Sequence, residues 1–211
     1  MTRVKICGLT SLADARAAAE AGADFLGFVF APGPRCLDPE RARGFWDELP
    51  RGVPKVAVFR DQTLDEVERV LSLVRPDYLQ FHGGERPGFC RIFGKPVIRA
   101  LPARVPADLA IAAAYLETAE IFLVDVPKGE GGVLPADVAR AAVRLPRPTL
   151  LAGGLHPGNV RAIVEEFQPF GVDVARGVES APGVKDHELV RGFIRSVKNS
   201  PRATPAPSTR H

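Results

Sequence analysis

Cysteine is scarce in this sequence, with three among 211 residues, and their positions argue against two classes of protein. Cys7, Cys36 and Cys90 lie far apart, and they form neither a CxxC pair nor the spacing of a metal-binding motif. Secreted disulfide scaffolds and zinc modules carry closely spaced cysteines. We therefore expect three reduced thiols and a cytoplasmic location.

Long apolar runs and clusters of one charge are missing as well. No stretch approaches the ~20 apolar residues that span a bilayer, and the segment from Met1 to Cys7 lacks the apolar region of a signal peptide. The formal net charge is only +3, and the basic residues are scattered. We therefore expect neither a membrane nor a nucleic acid as partner.

The sequence does contain a regular alternation of strand and helix patterns, and its 45% of hydrophobic residues can build one sizeable core. Eight short apolar runs are each followed by a segment with helical periodicity. The predicted strands cover residues 3–7, 24–30, 55–59, 78–82, 96–100, 121–125, 149–152 and 172–175. The predicted helices cover residues 11–22, 39–48, 64–74, 87–93, 106–117, 135–145, 157–167 and 186–197.

Eight even strand–helix units predict an α/β fold, a single-domain (β/α)8 TIM barrel over residues 1–198. A doubly wound sheet would show the same alternation, but no GxGxxG fingerprint is present. Residues 199–211 are rich in Pro, Ser, Thr and Ala without apolar periodicity, which predicts a disordered tail.

Two glycine-bearing segments near the end of the chain predict a phosphate cup. Thr149-Leu-Leu-Ala-Gly-Gly and Gly171-Val-Asp-Val-Ala-Arg-Gly are apolar runs that stop at glycine before a helical pattern. Glycine lets the backbone approach an anion, and free N–H groups at a helix start bind it. The loops after strands seven and eight are the usual phosphate site of such a barrel. The candidate phosphate-binding residues are Gly153, Gly154, Gly177 and Val178.

Polar side chains follow the predicted strands at the end of the barrel where active sites lie. In chain order they are Cys7, Arg35, Arg60, Asp61, His82, Arg99 and Asp125. Because side chains alternate along a strand, Cys7 shares its face with Lys5, and Asp125 shares its face with Leu123. A thiol and a carboxylate facing each other would suit proton transfer.

Lys5 and Asp173 lie on the first and last predicted strands, which are neighbours in a closed barrel. Two buried charges of opposite sign are costly unless they pair. We therefore predict an ion pair between them inside the barrel, below Cys7, where the cation would favour a thiolate.

The motifs of the chain resemble, in one collinear series over about residues 3–197, those of phosphoribosylanthranilate isomerases. They are KICGLT at 5–10, GPR at 33–35, VAVF at 56–59, LQFHG at 79–83, LAGGL at 151–155, GVDV at 171–174, GVE at 177–179 and PGVKD at 182–186. Similar LAGGL strings occur in several phosphate-binding barrels, so the KICG opening and the collinear order carry the resemblance.

The resemblance implies an Amadori rearrangement in tryptophan biosynthesis without a cofactor or a metal ion. The substrate would be N-(5'-phosphoribosyl)anthranilate and the product 1-(2-carboxyphenylamino)-1-deoxyribulose 5-phosphate. Cys7 would be the catalytic base, Asp125 the catalytic acid, and Arg35 the partner of the anthranilate carboxylate.

Three further residues, Gln80, His82 and Asp173, are placed as substrate-binding. Gln80 and His82 could instead be satisfied side chains of the barrel interior. A phosphorylated small molecule is the expected partner, and the protein would be a monomer or a homodimer.

The chain departs from the family pattern in two places. The GGTG-like segment expected after Asp125 reads GEGGVLP at 129–135, and two serines before Gly177 are replaced by Ala175 and Arg176. Arg176 would add a phosphate contact or face solvent. Two other readings stay open: the histidine-pathway isomerase, which performs the same rearrangement with an aspartate where Cys7 stands, and a phosphate-binding barrel without catalysis.

Overall fold

Eight parallel strands close into a barrel in the computed structural model, which describes residues 1–127 and 132–200. Each strand pairs with the next in the chain, and the eighth pairs with the first, so the predicted TIM barrel is confirmed. The barrel strands are β1 (Arg3–Ile6), β2 (Phe25–Val29), β3 (Lys55–Phe59), β4 (Tyr78–Phe81), β5 (Val97–Pro102), β6 (Ile121–Asp125), β7 (Thr149–Leu151) and β8 (Gly171–Val174).

Helices follow the strands and form the outer layer. Four of them, α1, α2, α3 and α7, begin where a short polar side chain accepts from free backbone N–H groups, as Thr63 does from Glu66 in a reciprocal capping box. The α-helices are α1 (Leu12–Glu20), α2 (Pro39–Trp46), α3 (Leu64–Leu73), α4 (Pro87–Arg91), α5 (Ala136–Ala142), α6 (Val160–Phe167) and α7 (His187–Lys198).

The segment after β5, predicted as a helix over 106–117, is a 3-10 helix over Pro106–Tyr115. Its buried residues are Leu109, Ala112 and Tyr115, at intervals of three. A 3-10 helix has three residues per turn, so this spacing puts all three side chains on one face. An α-helix would spread the three side chains over about 120° of its surface.

The alternation of side chains along the strands produces two separate cores. Cys7, Val58, Leu123 and Leu150 belong to the cluster inside the barrel. Their chain neighbours, such as Ile6, pack between the barrel and the helices. The predicted inward direction of Cys7 and Leu123 is therefore confirmed, which places Cys7 at the carboxyl end of the interior.

A two-stranded hairpin, β9 (Glu179–Ala181) and β10 (Val184–Lys185), separates β8 from α7 and was not predicted. It reaches the loop after β1, where the Thr10 hydroxyl donates to the Gly183 carbonyl at 2.6 Å. The hairpin thus extends the end of the barrel that carries the predicted site.

Hydrogen bonds from residues 199 and 200 to α7 cross the predicted domain boundary at residue 198. The Asn199 N–H caps α7, and the Ser200 hydroxyl donates to the Ser196 carbonyl at 2.8 Å. The rest of the predicted tail, residues 201–211, lies outside the described residues. Among the helices that the structure describes, none has the length and apolar character needed to cross a bilayer.

Candidate active site

Cys7 lies directly after β1 with its side chain inside the barrel, and the residue is only 7% exposed. Gly27 on the neighbouring strand β2 makes room for it. A Cβ atom at Gly27 would lie 3.0 Å from the Cys7 Sγ and 3.1 Å from the Lys5 Nζ. These contacts are tighter than ordinary packing, so Gly27 allows the thiol and the ammonium to share the space beside β2.

The predicted ion pair between Lys5 and Asp173 is confirmed. The two residues are opposite each other in the β1–β8 register, and Lys5 Nζ lies 2.7 Å from Asp173 Oδ1. Burial alone lowers the pKa of Lys5, but Asp173 and Cys7 together raise it above its usual value. Lys5 is therefore a buried, charged ammonium next to the thiol.

The pKa of the Cys7 thiol is raised above its ordinary value. Burial is the main cause, and the Lys5 ammonium opposes it without cancelling it. A nearby cation was expected to favour the thiolate, and it does, but the apolar interior outweighs it. At neutral pH most molecules therefore carry a protonated Cys7.

Asp125 ends β6 on the opposite side of the barrel and has the properties of an acid. Burial and the negative charge of Asp173 raise its pKa to about 6, although the Val126 N–H donates to Asp125 Oδ1 at 2.8 Å. The carboxyl holds its proton to a much higher pH than an exposed aspartate does. Roughly one molecule in ten is protonated at pH 7.

His82 contacts Asp125 as a neutral imidazole. Its Nε2 lies 3.7 Å from Asp125 Oδ2, but burial lowers the pKa of His82 to about 4. The Asp125 carboxyl therefore holds a proton to higher pH than the imidazole does, which reverses the usual order.

Gln80 lies two residues before His82 on the same inward face of β4. Its Nε2 is 3.2 Å from His82 Nδ1, while its buried Oε1 has no hydrogen-bond partner among the described residues. The prediction that its hydrogen bonds would be satisfied is therefore only half correct. The side chain orients His82 and keeps one unused acceptor.

Arg35 points into the barrel mouth, defined here as the end formed by the carboxyl ends of the strands, but a carboxylate already binds it. Its Nε and Nη2 lie 2.7 and 2.6 Å from the two oxygens of Glu179 on β9. Lys185 on β10 donates to the same carboxylate at 2.8 Å. Glu179 and Lys185 belong to the GVE and PGVKD motifs, which by themselves indicate no role for either residue.

Arg99 is not at the mouth, contrary to its predicted place at a strand end. β5 runs to Pro102, so Arg99 lies inside the strand. It faces outward, because its neighbours Ile98 and Ala100 face the barrel interior. It donates to Glu85 Oε2 at 2.8 Å and lies over the ring of Tyr115. The extra length of β5 was not visible in the sequence, and Arg99 stabilises the outer layer instead of the site.

The predicted phosphate residues enclose a cavity of about 580 Å³ at the mouth, here called the cup cavity. Gly153 and Gly154 have positive φ angles of 88° and 60°, the conformation that favours glycine. Gly177 and Arg176 line the same cavity from a 3-10 helix, Arg176–Val178. Of the four predicted residues, Val178 does not line the cavity, and its side chain is buried in the outer core.

The two halves of the cup touch each other through backbone. A Cβ atom at Gly177 would overlap the carbonyl oxygen of Leu155, and one at Gly154 would overlap the carbonyl oxygen of Gly132. Bulk at these glycines would therefore displace backbone before it entered the cavity. The φ angle of Gly177 is not positive, so glycine is needed at this position only because a side chain would not fit.

Replacing Gly177 by alanine should raise the KM for a phosphorylated substrate by roughly tenfold or more. The added methyl separates the loops after β7 and β8, so N–H groups aimed at one anion no longer converge. Steady-state kinetics with inorganic phosphate as competitor measures the effect. Gly44→Ala, which adds the same methyl where nothing lies within 4 Å, is the control. An unchanged KM and unchanged phosphate inhibition would show that the anion binds elsewhere.

A second cavity of about 560 Å³ adjoins the first at Asp125, Asp173 and Arg35. Cys7, Gln80 and His82 line it together with apolar residues. The mouth is thus one continuous space with the thiol, the carboxyl and the cup around it. Part of the loop after β6 that departs from the family pattern, residues 128–131, lies outside the described residues.

The fold and this mouth define a (β/α)8-barrel enzyme equipped for acid–base catalysis on a small molecule. The sequence model of the N-(5'-phosphoribosyl)anthranilate (PRA) isomerase family matches residues 4–196. The chain belongs to this family. The identity predicted from the motifs is therefore confirmed.

Individual relatives agree along nearly the whole chain. The N-(5'-phosphoribosyl)anthranilate isomerase of Alcanivorax borkumensis is 44% identical over 209 residues, covering 93% of this chain and 95% of that protein. The crystal structure of the Thermotoga maritima enzyme has a TM-score of 0.85 at 38% identity, covering 94% of this chain and 99% of that one.

Two further solved structures bear on ligand and assembly. One, at 37% identity and a TM-score of 0.80, is an isomerase in complex with reduced 1-(o-carboxyphenylamino)-1-deoxyribulose 5-phosphate, and it covers 94% of this chain and 99% of that one. The other, with the same identity and coverage and a TM-score of 0.81, is of monomers generated from the dimeric Thermotoga maritima isomerase. Relatives of this chain thus include a complex with a phosphorylated ligand and a dimeric form.

Proposed function

We propose that this chain catalyses the Amadori rearrangement of N-(5'-phosphoribosyl)anthranilate in tryptophan biosynthesis, with Asp125 as the acid and Cys7 as the base. Family membership supports the reaction. The observation that carries the assignment of residues is that Cys7, directly after β1, and Asp125, at the end of β6, line one cavity beside the cup. Lys5, Asp173 and burial tune both groups.

The acid acts first. The Asp125 carboxyl gives its proton to the furanose ring oxygen, the C1–O bond breaks, and the nitrogen lone pair forms a C=N iminium at C1. The raised pKa of Asp125, about 6, suits this transfer because the carboxyl is protonated in an appreciable fraction of molecules at neutral pH. Ring opening leaves the Asp125 carboxylate behind.

The base then removes the proton at C2. The Cys7 thiolate takes this proton, and the electrons of the C–H bond form a C1–C2 double bond that neutralises the iminium nitrogen. The resulting enolamine tautomerises to the 2-keto product. Lys5 supplies the positive charge that stabilises the thiolate, since its Nζ and the thiol share the space left by Gly27.

The cup cavity and the second cavity would bind different parts of the substrate. The substrate phosphate would bind in the cup at Gly153, Gly154, Gly177 and the Val178 backbone, and Arg176, which lines the cup, would add a positive charge. The anthranilate would lie in the second cavity with its carboxylate at Arg35. Gln80, His82 and Asp173 would contact the ribose between them.

The direct test is turnover of N-(5'-phosphoribosyl)anthranilate by the purified protein, followed as loss of anthranilate-type fluorescence. We expect saturable, protein-dependent loss with formation of the 1-deoxyribulose product. The double variant Cys7→Ser, Asp125→Asn controls for spontaneous breakdown. A barrel without catalysis would bind the substrate without loss of fluorescence, and turnover of only the histidine-pathway aminoaldose would assign that reaction instead.

We further propose a cytoplasmic location, because Cys7 must remain a reduced thiol to act as the base, and the three cysteines are free. A monomer or a homodimer is proposed as the assembly, in line with the dimeric relative.

A further inference from the structure

The second cavity has the walls of a site for an aromatic carboxylate. Apolar groups from Ala31, Pro32, Pro34, Val58 and Val126 line it, and two arginines, Arg35 and Arg60, reach it from neighbouring loops. Apolar walls suit a planar ring, and guanidinium groups suit its carboxylate. Under the proposed function, this is the space for the anthranilate moiety.

Arg35 alone offers this carboxylate little binding capacity. A guanidinium binds a carboxylate best through two parallel N–H groups along one edge. Nε and Nη2 of Arg35 form one such edge, and both are bound to the oxygens of Glu179. Gly8 gives the side chain its space, because a Cβ there would lie 2.6 Å from Arg35 Cδ. Arg35 is therefore held in one orientation with only its remaining edge available.

Arg60 differs from Arg35, because among the described residues no carboxylate is bound to its guanidinium. It lies two residues after Val58, whose side chain faces the barrel interior, so the alternation along β3 directs it to the mouth. Its backbone N–H donates to Gln62 Oε1 at 2.6 Å, and Gln62 in turn donates to the Phe30 carbonyl at 2.8 Å. The base of the side chain is thus fixed.

The guanidinium of Arg60 binds a backbone carbonyl. Its Nη2 donates to the Pro32 carbonyl at 3.2 Å, and no carboxylate forms an ion pair with it within residues 1–127 and 132–200. Its positive charge acts on groups inside the site, because it helps to lower the pKa of His82. A guanidinium that lines a ligand cavity and pairs with no carboxylate among the described residues is a ready partner for an anion.

We propose that Arg60 is a second anchor for the anthranilate carboxylate and, with Arg35, selects substrates that carry this group. The inference rests on the proposed function and deepens it. The carboxylate lies between the free edge of Arg35 and the guanidinium of Arg60, while the phosphate occupies the cup. Glu179 and Lys185 position Arg35, and Gln62 positions Arg60.

A comparison of two substrates tests this role. N-(5'-phosphoribosyl)aniline has the phosphate, the ribose and the ring of the natural substrate but lacks the carboxylate. In Arg60→Met, kcat/KM for the anthranilate compound should fall by about tenfold or more, as expected for a lost charged hydrogen bond, whereas the aniline compound should change by less than about twofold. Arg60→Lys should recover part of the loss.

Controls separate this role from a structural one. Arg69→Met removes the same charge from the exposed face of α3 and should affect neither substrate. Arg35→Met should show the same selective loss as Arg60→Met. An equal loss for both substrates in Arg60→Met would mean that Arg60 only fastens the loop at Pro32, and no loss for either would also overturn the proposal.

The proposed function and the role of Arg60 fail in different ways. Absence of turnover and of binding of the anthranilate compound by the unaltered protein would reject the function and the anchor together. Binding can be measured by calorimetry in an Asp125→Asn background, where substrate persists. Turnover by the unaltered protein with unchanged selectivity in Arg60→Met would reject the anchor alone.

Discussion

Replacing Cys7 by serine should lower kcat by about 10²- to 10⁴-fold, the range typical for loss of a general base. Serine preserves the shape of the side chain, but its hydroxyl is a far weaker proton acceptor at any accessible pH than a thiolate is. Because the phosphate cup and Arg35 remain, KM should change little. Single-turnover and steady-state kinetics with N-(5'-phosphoribosyl)anthranilate measure both quantities.

Cys90→Ser is the matched control for this experiment. Cys90 is also a buried thiol, but it lies on α4 in the outer core, with its Sγ 3.9 Å from the Glu85 carbonyl oxygen. The change there should leave kcat as it is. If Cys7→Ser retained the turnover of the unaltered protein, another group would have to be the base.

Replacing Asp125 by asparagine should abolish most turnover while substrate binding survives. The amide keeps the volume of the side chain but cannot protonate the ring oxygen, so the loss falls on an interaction made mainly in the transition state. A fall of about 10²- to 10⁴-fold in kcat is expected. Weak binding with turnover intact would instead mean that Asp125 positions the substrate.

The pH dependence gives this substitution a second readout. Catalysis needs a protonated Asp125, with a pKa of about 6, and an ionised Cys7, with a pKa raised above its usual value by burial. The group that must be protonated thus loses its proton first. The form able to react, with Asp125 protonated and Cys7 ionised, is therefore a minor fraction of the protein. This fraction rises with pH up to about 6, is constant between the pKa values of the two groups, and falls above the pKa of the thiol.

The rising limb of kcat/KM near pH 6 should therefore report Asp125, although Asp125 acts as the acid. In Asp125→Asn, the pH profile of the residual kcat/KM should therefore lose the part of the rising limb near pH 6 that is due to Asp125. The substrate phosphate also titrates near pH 6, but it does so equally in both proteins. Asp65→Asn, an exposed position on α3, controls for the change in net charge. An unaltered limb in Asp125→Asn would assign it to the substrate.

Several features of this protein were determined by the sequence alone. The alternation of short apolar runs and helical segments predicted the eight strands, because the periodicity of each element is set by residues near one another in the chain. The same alternation placed Cys7 and Leu123 inside the barrel. It also predicted the pair Lys5 and Asp173, since closure makes the first and last strands neighbours and a buried charge requires a partner.

Other features depended on distances that only the closed fold sets. The bidentate pair of Arg35 and Glu179 joins a loop and a hairpin 144 residues apart, and the hairpin had no sequence signal that was recognised. Arg99 is not at the end of β5 because this strand is longer than its apolar run suggested, and it faces the outer layer because Ile98 and Ala100 face the interior. The contact between Gly177 and Leu155 likewise depends on how two adjacent loops meet.

The tuning of the catalytic groups also belongs to the tertiary structure. The sequence placed a thiol and a carboxyl at the same mouth, but their pKa values depend on burial and on charges brought together from separate strands. Asp173 and burial raise the pKa of Asp125, and burial outweighs Lys5 at Cys7. Residue types and their order along the chain therefore determined which groups are present, whereas packing around them decided which group holds the proton, because desolvation and Coulomb energies depend on three-dimensional distances.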